Sequence, residues 1–440
     1  ERSAVLRVLS FLLWLGSGAL VYGCATVLAW QASVAGETAA EGVAQSTAAH
    51  AGFWAVLSIS LAPLLHVLGI GLLPDTLLMF FTAALLWLML RLLQPAALQR
   101  RADWLLLGLL LGLAGLSKYT AILFALALGL GLLAAYGRQL LRTPALWGGL
   151  LLALLLVAPV LIWNYQNHWI SFIYQTRHGA GEAWRASEVL RFAVLQLLAY
   201  GPLLLAGLSA WPGRPRRYLL LLFVLPWGLL AFLAGGGVSL PHWSAPAWVA
   251  LAPLAGVALA RAAPRWRMVL RALAGLQALA CLALLGLTWS GGLPWLGSTA
   301  GHGDRAAPSN PFADVHGWDA AGQRARSLAL QHGLSSVSVQ NWSLASRLGW
   351  YARPLPVHVL EDRFDQFDLW AGDLPRGADT LLLDWSQLAF EPPLGAHGFG
   401  DCTRLETQPV QRFGVVIAEF TFYACHGWSA APQPRLRERP

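Results

Sequence analysis

The most unusual chemical group in this chain is the side chain of Lys118. It is the single lysine among 30 basic residues in a protein of 440 residues, and it interrupts a long apolar stretch. An ionisable group at membrane depth is costly, usually functional and usually paired with an anion. Lysine is a common point-charge partner of phosphate, so we expect Lys118 to bind one. The alternative is a lysine that extends from a helix end to the membrane interface.

Asp75 is the second candidate. It precedes the apolar segment 76–95 in the run Leu-Pro-Asp-Thr. Aspartate at this position can cap the helix N-terminus and complement the helix dipole. It can also act as a general base, or bind a metal or a sugar, at the rim of a cavity. Asp103, beside an arginine pair, is the other acid near the start of an apolar segment. The sequence leaves both interpretations of Asp75 open.

The segment 163–179 is dense in aromatic and polar residues. Such residues mark membrane interfaces, which is the alternative interpretation of this segment. Aromatic rings beside amides and imidazoles also suit sugars, which offer apolar faces and many hydroxyl groups. Arginine and histidine add cationic donors for a second phosphate contact, and residues 241–246 have the same character more weakly. The candidate binding residues are Asn164, His168, Trp169, Gln175, Arg177, His178, His242 and Trp243.

The four cysteines fall into two groups. Cys24 and Cys281 lie in apolar segments and are interpreted as small buried hydrophobic residues. Cys402 and Cys425 flank a predicted hairpin with strand material at 412–416 and 420–423. We predict a disulfide between them, because an oxidising compartment permits one. The motifs CxxC, HExxH, the P-loop and GxSxG are absent, so zinc-protease, NTPase and serine-hydrolase functions have no support.

The composition indicates the class of protein to which these residues belong. The chain is 57% hydrophobic and 12% charged, about half the charged fraction of a soluble domain. A soluble enzyme, a disordered protein and a disulfide-rich miniprotein are thereby excluded. No basic stripe with interleaved aromatic residues is present, so nucleic acid is not an expected partner. The sequence predicts a polytopic α-helical membrane protein.

About ten segments are apolar and long enough to be candidate spans. The four short basic loops at 100–101, 138–142, 214–217 and 261–267 are predicted to face the cytoplasm. This orientation puts Asp75, Lys118 and the C-terminal region on the outer side. The spans are 5–29, 51–72, 76–95, 103–117, 119–136, 145–163, 190–211, 218–236, 243–261 and 268–290.

The stretch 103–136 has only 34 residues for two crossings. We therefore expect two short helices that meet at Ser117–Thr120 below the outer surface. Non-helical backbone at that depth is tolerated where it is buried in protein or lines a wet cavity. A cavity that opens outward, with Lys118 at its floor, follows from this spacing.

The C-terminal region has a different character. Residues 1–300 carry 18 basic and 7 acidic side chains, whereas residues 301–440 carry 12 and 15. We expect a transmembrane domain at 1–292, a linker at 293–316 and a small α/β domain at 317–440. The acidic segment 361–368 is predicted to be a solvated loop, with recognition of an acceptor as the alternative. Predicted helices are 319–332 and 344–351, and strands are 336–340, 357–360, 380–384 and 415–424.

Several short motifs, taken in order, resemble a known family. They are Pro74-Asp75, residues 112–120 with Ser-Lys-Tyr-Thr, residues 159–164 with Trp-Asn, residues 168–179 with His-Trp-Ile-Ser-Phe and Arg-His-Gly, and residues 241–246 with Pro-His-Trp-Ser. Together they resemble the bacterial dolichyl-phosphate-mannose protein mannosyltransferase-like glycosyltransferases of the GT-C fold, which include the lipid A aminoarabinose transferase. The resemblance covers nearly the whole chain.

The resemblance implies a transferase in the bacterial inner membrane, with its C-terminal domain periplasmic. It would move a sugar from a polyprenyl-phosphate carrier to a glycolipid, glycan or protein hydroxyl, without a tightly bound cofactor. Lys118, with Arg177 or His178, would hold the carrier phosphate; Tyr119 belongs to the same motif, and Asp75 would be the second acidic residue. The family's principal acidic loop has no match in the chain, so we expect either that the sequence lacks the family's first span and first outer loop or that the protein lacks its main base. The resemblance implies no metal ligand here and leaves metal dependence open. A lipid flippase and an inactive scaffold are the alternatives.

Overall fold

The computed structural model describes residues 2–34, 41–71, 73–180, 183–209, 214–237, 239–293, 310–361 and 365–430. The chain forms two compact units, Glu1–Cys281 and Leu282–Pro440. The division lies inside the last long helix, earlier than the linker predicted at 293–316. Within the second unit, the carbonyl oxygens of Thr288 and Trp289 at the end of this helix accept hydrogen bonds from His316 and Arg412. These bonds account for the earlier boundary.

The first unit is helical throughout its described part. Most helices end at Gly, Pro or a short polar segment, because these residues favour helix ends. Its helices are α1 (Arg2–Val34), α2 (Glu41–Ser60), α3 (Pro63–Ile70), α4 (Pro74–Leu92), α5 (Arg101–Ser117), α6 (Ala121–Tyr136), α7 (Arg138–Leu141), α8 (Pro144–Gln166), α9 (Ile170–Ala180), α10 (Ala186–Tyr200), α11 (Arg214–Ala234), α12 (Ala245–Ala260) and α13 (Pro264–Ser290).

Six helices in the described ranges are long and apolar enough to cross a membrane, and a bent pair could provide a seventh span. The ten spans expected from the sequence are therefore not confirmed as ten. The segment 51–72 is not one straight helix, because α2 and α3 meet at 78°. The segment 190–211 is helical only to Tyr200, after which Leu203–Leu208 forms a 3₁₀ helix. The apolar helices nevertheless show that the chain is a multi-pass membrane protein.

Close helix packing in the first unit depends on glycine. A Cβ atom on Gly108 of α5 would lie 2.0 Å from the carbonyl oxygen of Gly149 in α8. A Cβ atom on Gly149 would lie 2.2 Å from the carbonyl oxygen of Trp104. Small residues allow membrane helices to approach this closely. The rest of α8 faces outward, since only 11% of its most apolar part is buried, which suits a lipid-facing helix.

The helix α12 is the centre of the first unit. In its candidate span, Pro241–Ala260, 83% of the most apolar part is buried, and Ala250, Leu251 and Ala255 are at most 1% exposed. A helix that is apolar on all sides belongs in the interior. It packs against α1, α2, α4 and α11. This packing fixes the turn at the start of α12, which contributes to the site described below.

The second unit contains a five-stranded mixed sheet in the order β2-β1-β3-β5-β4. Strands β1, β2 and β3 are parallel, whereas β5 is antiparallel to both β3 and β4. The predicted strands and helices of this region are thus present within a few residues. The elements are α14 (Trp318–Gln331), β1 (Val337–Val339), α15 (Trp342–Tyr351), β2 (Val357–Val359), α16 (Gln366–Trp370), β3 (Thr380–Trp385), β4 (Asp401–Arg412) and β5 (Val415–His426).

The hairpin differs from its prediction. The expected strand 412–416 is wrong, because the chain reverses at Phe413 and Gly414, where φ is +50° and +80°. Two residues with positive φ match the type I′ turn that suits a twisted hairpin. The predicted strand material at 415–416 and 420–423 therefore lies on one strand, β5, and its partner β4 was not predicted. Cys402 and Cys425 face each other across the hairpin and form a disulfide.

Candidate functional site

The ammonium nitrogen of Lys118 lies 2.7 Å from a carboxylate oxygen of Asp75. The Asp75 side chain is 3% exposed and that of Lys118 is 21% exposed. The N-cap interpretation of Asp75 is wrong, because Leu73 occupies the N-cap position and no side chain caps the helix. Asp75 lies in the first turn instead, so its carboxylate is free to pair with lysine. The structure thus brings together the two candidates that lie 43 residues apart.

Local sequence explains the position of Lys118. It follows the last residue of α5 in extended conformation, and its amide donates to the carbonyl oxygen of Ala114. Its own carbonyl oxygen accepts from the amide of Ala121 at the start of α6. The two helices have 17 and 16 residues and meet in this short turn, as the spacing predicts. The turn leaves the lysine side chain partly accessible while its acidic partner is buried.

His242 belongs to the 3₁₀ turn Pro241–Ser244, which leads directly into α12. The neighbouring Trp243 ring packs edge-to-face with the imidazole at 6.4 Å. The weak sequence signal at 241–246 therefore marks the turn that begins the most buried helix of the first unit.

A buried hydrogen-bond network holds the His242 turn in place. The carbonyl oxygen of Pro241 accepts from the amide of Gln196 at 3.0 Å and from the hydroxyl of Tyr200 at 2.9 Å. The other end of Gln196 accepts from Ser244 and, at 2.7 Å, from the indole of Trp248. Gln196 is 1% exposed. Fully satisfied buried polar networks rigidify their surroundings, so this one fixes the orientation of the turn.

Tyr119, which directly follows Lys118 in the chain, contacts Asn164. The amide nitrogen of Asn164 lies 3.4 Å from the hydroxyl oxygen of Tyr119 and donates to the carbonyl oxygen of Val160 at 3.0 Å. Asn164 is fully buried, yet its side-chain oxygen has no hydrogen-bond partner. The Tyr119 ring stacks on Phe172 with centroids 5.1 Å apart. A buried amide and an aromatic ring thus contact the side chain of Tyr119, the residue after Lys118.

The turn between α8 and α9 is strained. His168 and Trp169 both have positive φ, at +54° and +58°, which costs about 1–2 kcal/mol per non-glycine residue. The amide of Trp169 donates to the carbonyl oxygen of Asn164 at 2.7 Å. The Trp169 ring packs against Tyr165 and Phe172. Strain of this kind persists where surrounding contacts impose it, and it is common at binding sites.

The remaining candidates are less well defined by the structure. Gln175 is exposed on α9 and contributes no contact to the cluster described above. Arg177 and His178 belong to the same helix, but their side chains lie outside the described part of the chain. Within that part, no group of three or more His, Cys, Asp and Glu side chains could hold a metal ion.

Sequence reasoning missed Gln196, Tyr200 and Gln277. The amide of Gln277 donates to the carbonyl oxygen of Leu61 at 3.1 Å, and its oxygen accepts from the amide of Leu203 at 3.4 Å. Gln277 therefore makes hydrogen bonds with backbone groups at two places where a helix ends. A glutamine within an apolar span was a usable signal, because a buried amide needs partners.

The fold and the site define the class of this protein. It is a multi-pass membrane protein in which a buried carboxylate, Asp75, pairs with a partly exposed lysine, Lys118, at helix ends. A family model described as dolichyl-phosphate-mannose-protein mannosyltransferase matches residues 39–163, which include Asp75, Lys118 and Tyr119. Over these residues the resemblance noted in the sequence is confirmed.

Solved structures show the same fold. ArnT from Cupriavidus metallidurans bound to undecaprenyl phosphate is 16% identical, with a TM-score of 0.54 over 96% of this chain and 85% of ArnT. The apo state of that protein is 17% identical, with a TM-score of 0.52 over 96% and 84% of the two chains. No curated protein sequence matches this chain.

Proposed function

We propose that this protein transfers a sugar from a polyprenyl-phosphate carrier to a hydroxyl group of an acceptor at the outer face of the membrane. The observation that carries the proposal is the contact between Lys118 and Asp75 at the ends of short membrane helices. ArnT, which shares the fold, binds undecaprenyl phosphate, so a lipid-linked phosphate is the matching ligand class. The arrangement of arginine-rich loops supports an outward-facing site.

In this proposal Lys118 binds the carrier phosphate. An ammonium group has three protons to donate, and Asp75 accepts one of them. The remaining protons can donate to phosphate oxygens, and the 21% exposure of the side chain leaves it accessible. Asp75 holds the lysine side chain in position before the carrier arrives. The pair therefore prepares a cation without leaving it unpaired in an apolar environment.

The transfer is a displacement at the anomeric carbon of the sugar. The acceptor oxygen forms a bond to this carbon, the bond from carbon to phosphate oxygen breaks, and its electron pair stays on the phosphate. Lys118 stabilises the charge that develops on the leaving phosphate. The proton of the acceptor hydroxyl passes to a carboxylate base. We assign Asp75, the partner of Lys118, as the second acidic residue of the site. No nucleotide is required.

The aromatic and amide groups beside the lysine suit the sugar. Tyr119, Phe172 and Trp169 offer ring faces, and the buried oxygen of Asn164 is an unsatisfied acceptor. Sugars present apolar faces and hydroxyl donors that match such groups. His242 and Trp243, held by the Gln196 network, would complete the site from the start of α12. The glycolipid, glycan or protein acceptor would approach from the outer side, where we also place the C-terminal unit.

A complementation experiment tests this function. A deletion strain should lack one glycosylated envelope component, and the wild-type gene should restore it in a mass-spectrometric glycolipid and glycoprotein profile. Lys118→Gln should fail to restore it, whereas the matched surface variant Arg265→Gln should succeed. Full restoration by Lys118→Gln would contradict the proposal, as would an unchanged profile in the deletion strain.

A further inference from the structure

The helix α13 has an exposed apolar side. It is long and apolar enough to cross a membrane, and only 11% of its most apolar part is buried. Leu282, Leu285 and Trp289 follow one another at intervals of three and four residues, so they share one face of the helix. Their exposed fractions are 64%, 53% and 66%. This face is therefore the side of α13 that contacts lipid.

Trp289 marks the level at which α13 leaves the membrane. It follows the exposed Arg267 by 22 residues, which is a rise of about 33 Å. The hydrocarbon core of a bilayer is about 30 Å thick. Arginine stays outside this core, and tryptophan is enriched at the interface between core and water. The two residues therefore mark opposite surfaces of the bilayer.

The tip of the β4–β5 hairpin is attached to this end of α13. The guanidinium group of Arg412 donates to the carbonyl oxygen of Trp289 through Nε at 3.0 Å and through Nη2 at 2.5 Å. Arginine often satisfies the carbonyl groups at a helix end in this way. The Phe413 ring packs edge-to-face on the Trp289 ring, with centroids 5.4 Å apart. The tip therefore lies at the same level as Trp289.

Phe413 is an unusual residue for its position. Its φ is +50°, which costs a residue with a Cβ atom about 1–2 kcal/mol. A two-residue turn of this kind favours Asn or Asp followed by Gly, and only Gly414 fits that pattern. Phe413 is also 64% exposed, so the protein itself buries only a minor part of the ring. A strained and exposed aromatic residue indicates a contact made outside the chain.

The charge of the tip suits the surface of a bilayer. Residues 407–418 contain no acidic side chain, and Arg412 is their one charged residue. Its side chain is partly buried, and its guanidinium carbon lies 5.8 Å from the centre of the Phe413 ring. An arginine whose stem lies along apolar groups while its charge stays in the polar layer is typical of a membrane interface. The tip thus presents an apolar ring beside a positive charge.

We infer that the tip of the β4–β5 hairpin inserts into the bilayer surface beside α13. Phe413 and Trp289 enter the boundary between headgroups and acyl chains, and Arg412 lies at the level of the phosphate groups. Lipid is the occupant because Phe413 packs on a residue of the lipid-contacting face of α13 and continues that face. The second unit is thereby held at the membrane by its sheet as well as by its covalent link to α13.

Fluorescence quenching of the full-length protein in lipid nanodiscs tests this inference. A bimane label is attached at Phe413→Cys in a protein with Cys24→Ala and Cys281→Ala, which replace the two free cysteines. The control carries the label at Leu330→Cys, because Leu330 is 76% exposed. A lipid with a nitroxide high on its acyl chain should quench the label at 413 about threefold more than the label at 330, since only the first lies in the interface. Aqueous iodide should show the opposite preference.

Leu330 is a suitable control because it is far from the tip. It lies at the end of α14, which leads into β1. The first residue of β1, Val337, pairs with Leu381, which in turn pairs with Ala424. Ala424 lies 11 residues after Phe413, about 36 Å away along the strand.

A second measurement uses protein that carries no label and keeps its cysteines. Phosphatidylcholine with a diazirine high on its acyl chain should crosslink to residues 411–416, as located by mass spectrometry. Phe413→Asp should reduce these adducts severalfold, because a carboxylate is costly in the apolar layer, and should leave adducts on residues 276–285 of α13 unchanged. The matched variant Leu330→Asp should change neither set.

Three results would overturn the inference. Equal iodide quenching at 413 and 330 would place the tip in water. Shielding of the label at 413 from both iodide and lipid would mean that a second copy or another protein covers the tip. Equal lipid adducts on 411–416 in the wild type and in Phe413→Asp would remove Phe413 from the contact. Both readouts are lipid contacts, so they stand or fail separately from sugar transfer.

Discussion

The ammonium group of Lys118 and the carboxylate of Asp75 are 2.7 Å apart although 43 residues separate them. The contact joins the end of α5 to the first turn of α4 inside an apolar bundle. Breaking a buried ion pair by removing one partner typically costs about 3–5 kcal/mol, whereas replacing both can be neutral. Stability and activity should therefore respond differently to changes at this pair.

We predict that Lys118→Gln and Asp75→Asn each destabilise the protein by a few kcal/mol, at the lower end of about 3–5 kcal/mol because Lys118 is partly exposed. The double variant should regain part of this loss, since no charge is left unpaired. Neither the Lys118→Gln variant nor the double variant should transfer sugar. Thermal unfolding in detergent and transfer from a polyprenyl-phosphate sugar provide the two measurements. Additive destabilisation in the double variant would show that the two groups do not interact.

The Gln196 network gives a second prediction. Gln196→Leu removes the acceptor of the buried Trp248 indole, and a buried polar group left unsatisfied costs about 1–3 kcal/mol. It also removes one bond each from Pro241 and Ser244, which keep their bonds to Tyr200 and to each other. Tyr200→Phe should cost only about 1 kcal/mol, because Gln196 still donates to the carbonyl oxygen of Pro241. We expect thermal unfolding to show this order, and transfer to fall more in Gln196→Leu than in Tyr200→Phe. The reverse order would contradict a positioning role for Gln196.

Tyr119 gives a third prediction, about the donor sugar. Tyr119→Phe keeps the ring that stacks on Phe172 and should leave KM for the lipid-linked sugar within about threefold, because the bond it loses is long. Tyr119→Leu removes the aromatic face and should raise KM by about two- to tenfold, since an aromatic contact is worth about 0.5–1.5 kcal/mol. Steady-state kinetics with a radiolabelled donor distinguish the two. An unchanged KM in Tyr119→Leu would remove the ring from the site.

The disulfide of the second unit gives a fourth prediction. Cys402 and Cys425 are 23 residues apart, and a disulfide that closes a loop of this size typically contributes about 3 kcal/mol. The two cysteines should resist alkylation until they are reduced. The Cys402→Ser, Cys425→Ser protein should lose hydrogen-exchange protection in β4 and β5. Ready labelling before reduction would show that the bond is absent in the native protein.

Asp384 gives a fifth prediction, about pH. Burial raises the pKa of its carboxyl group from the ordinary value of 3.8 to about 7, while a hydrogen bond from the amide of Phe390 opposes the rise. Between these values the folded state holds a proton that the unfolded state releases. Stability should therefore fall as pH rises from 4 to 7, by at most about 1.4 kcal/mol per pH unit, and then level off.

Hydrogen exchange of the β3 amides between pH 4 and 8, corrected for the intrinsic exchange rate, measures this effect. Asp384→Asn keeps an oxygen that can accept from Phe390 and has no titrating proton. Its protection should change much less with pH across the same window. Equal pH dependence in the two proteins would assign the effect to other groups.

The sequence by itself determined the class of protein and the residues that matter. Apolar runs give helices because every backbone polar group in a membrane must be satisfied within the chain. The short stretch 103–136 required a turn at membrane depth, and a lone lysine in that turn indicated an anionic partner. The α/β pattern after residue 317 follows from hydrophobic periodicity, which is a local property.

Only the tertiary structure decided which groups meet. No local signal shows that Asp75 pairs with Lys118, that Gln196 fixes the turn of His242, or that Gln277 bonds two distant helix breaks. The strand β4 was missed for the same reason: its strand character rests on pairing with β5 more than on its own sequence. Such contacts depend on how helices and strands pack across long sequence separations, and local propensity does not encode that geometry.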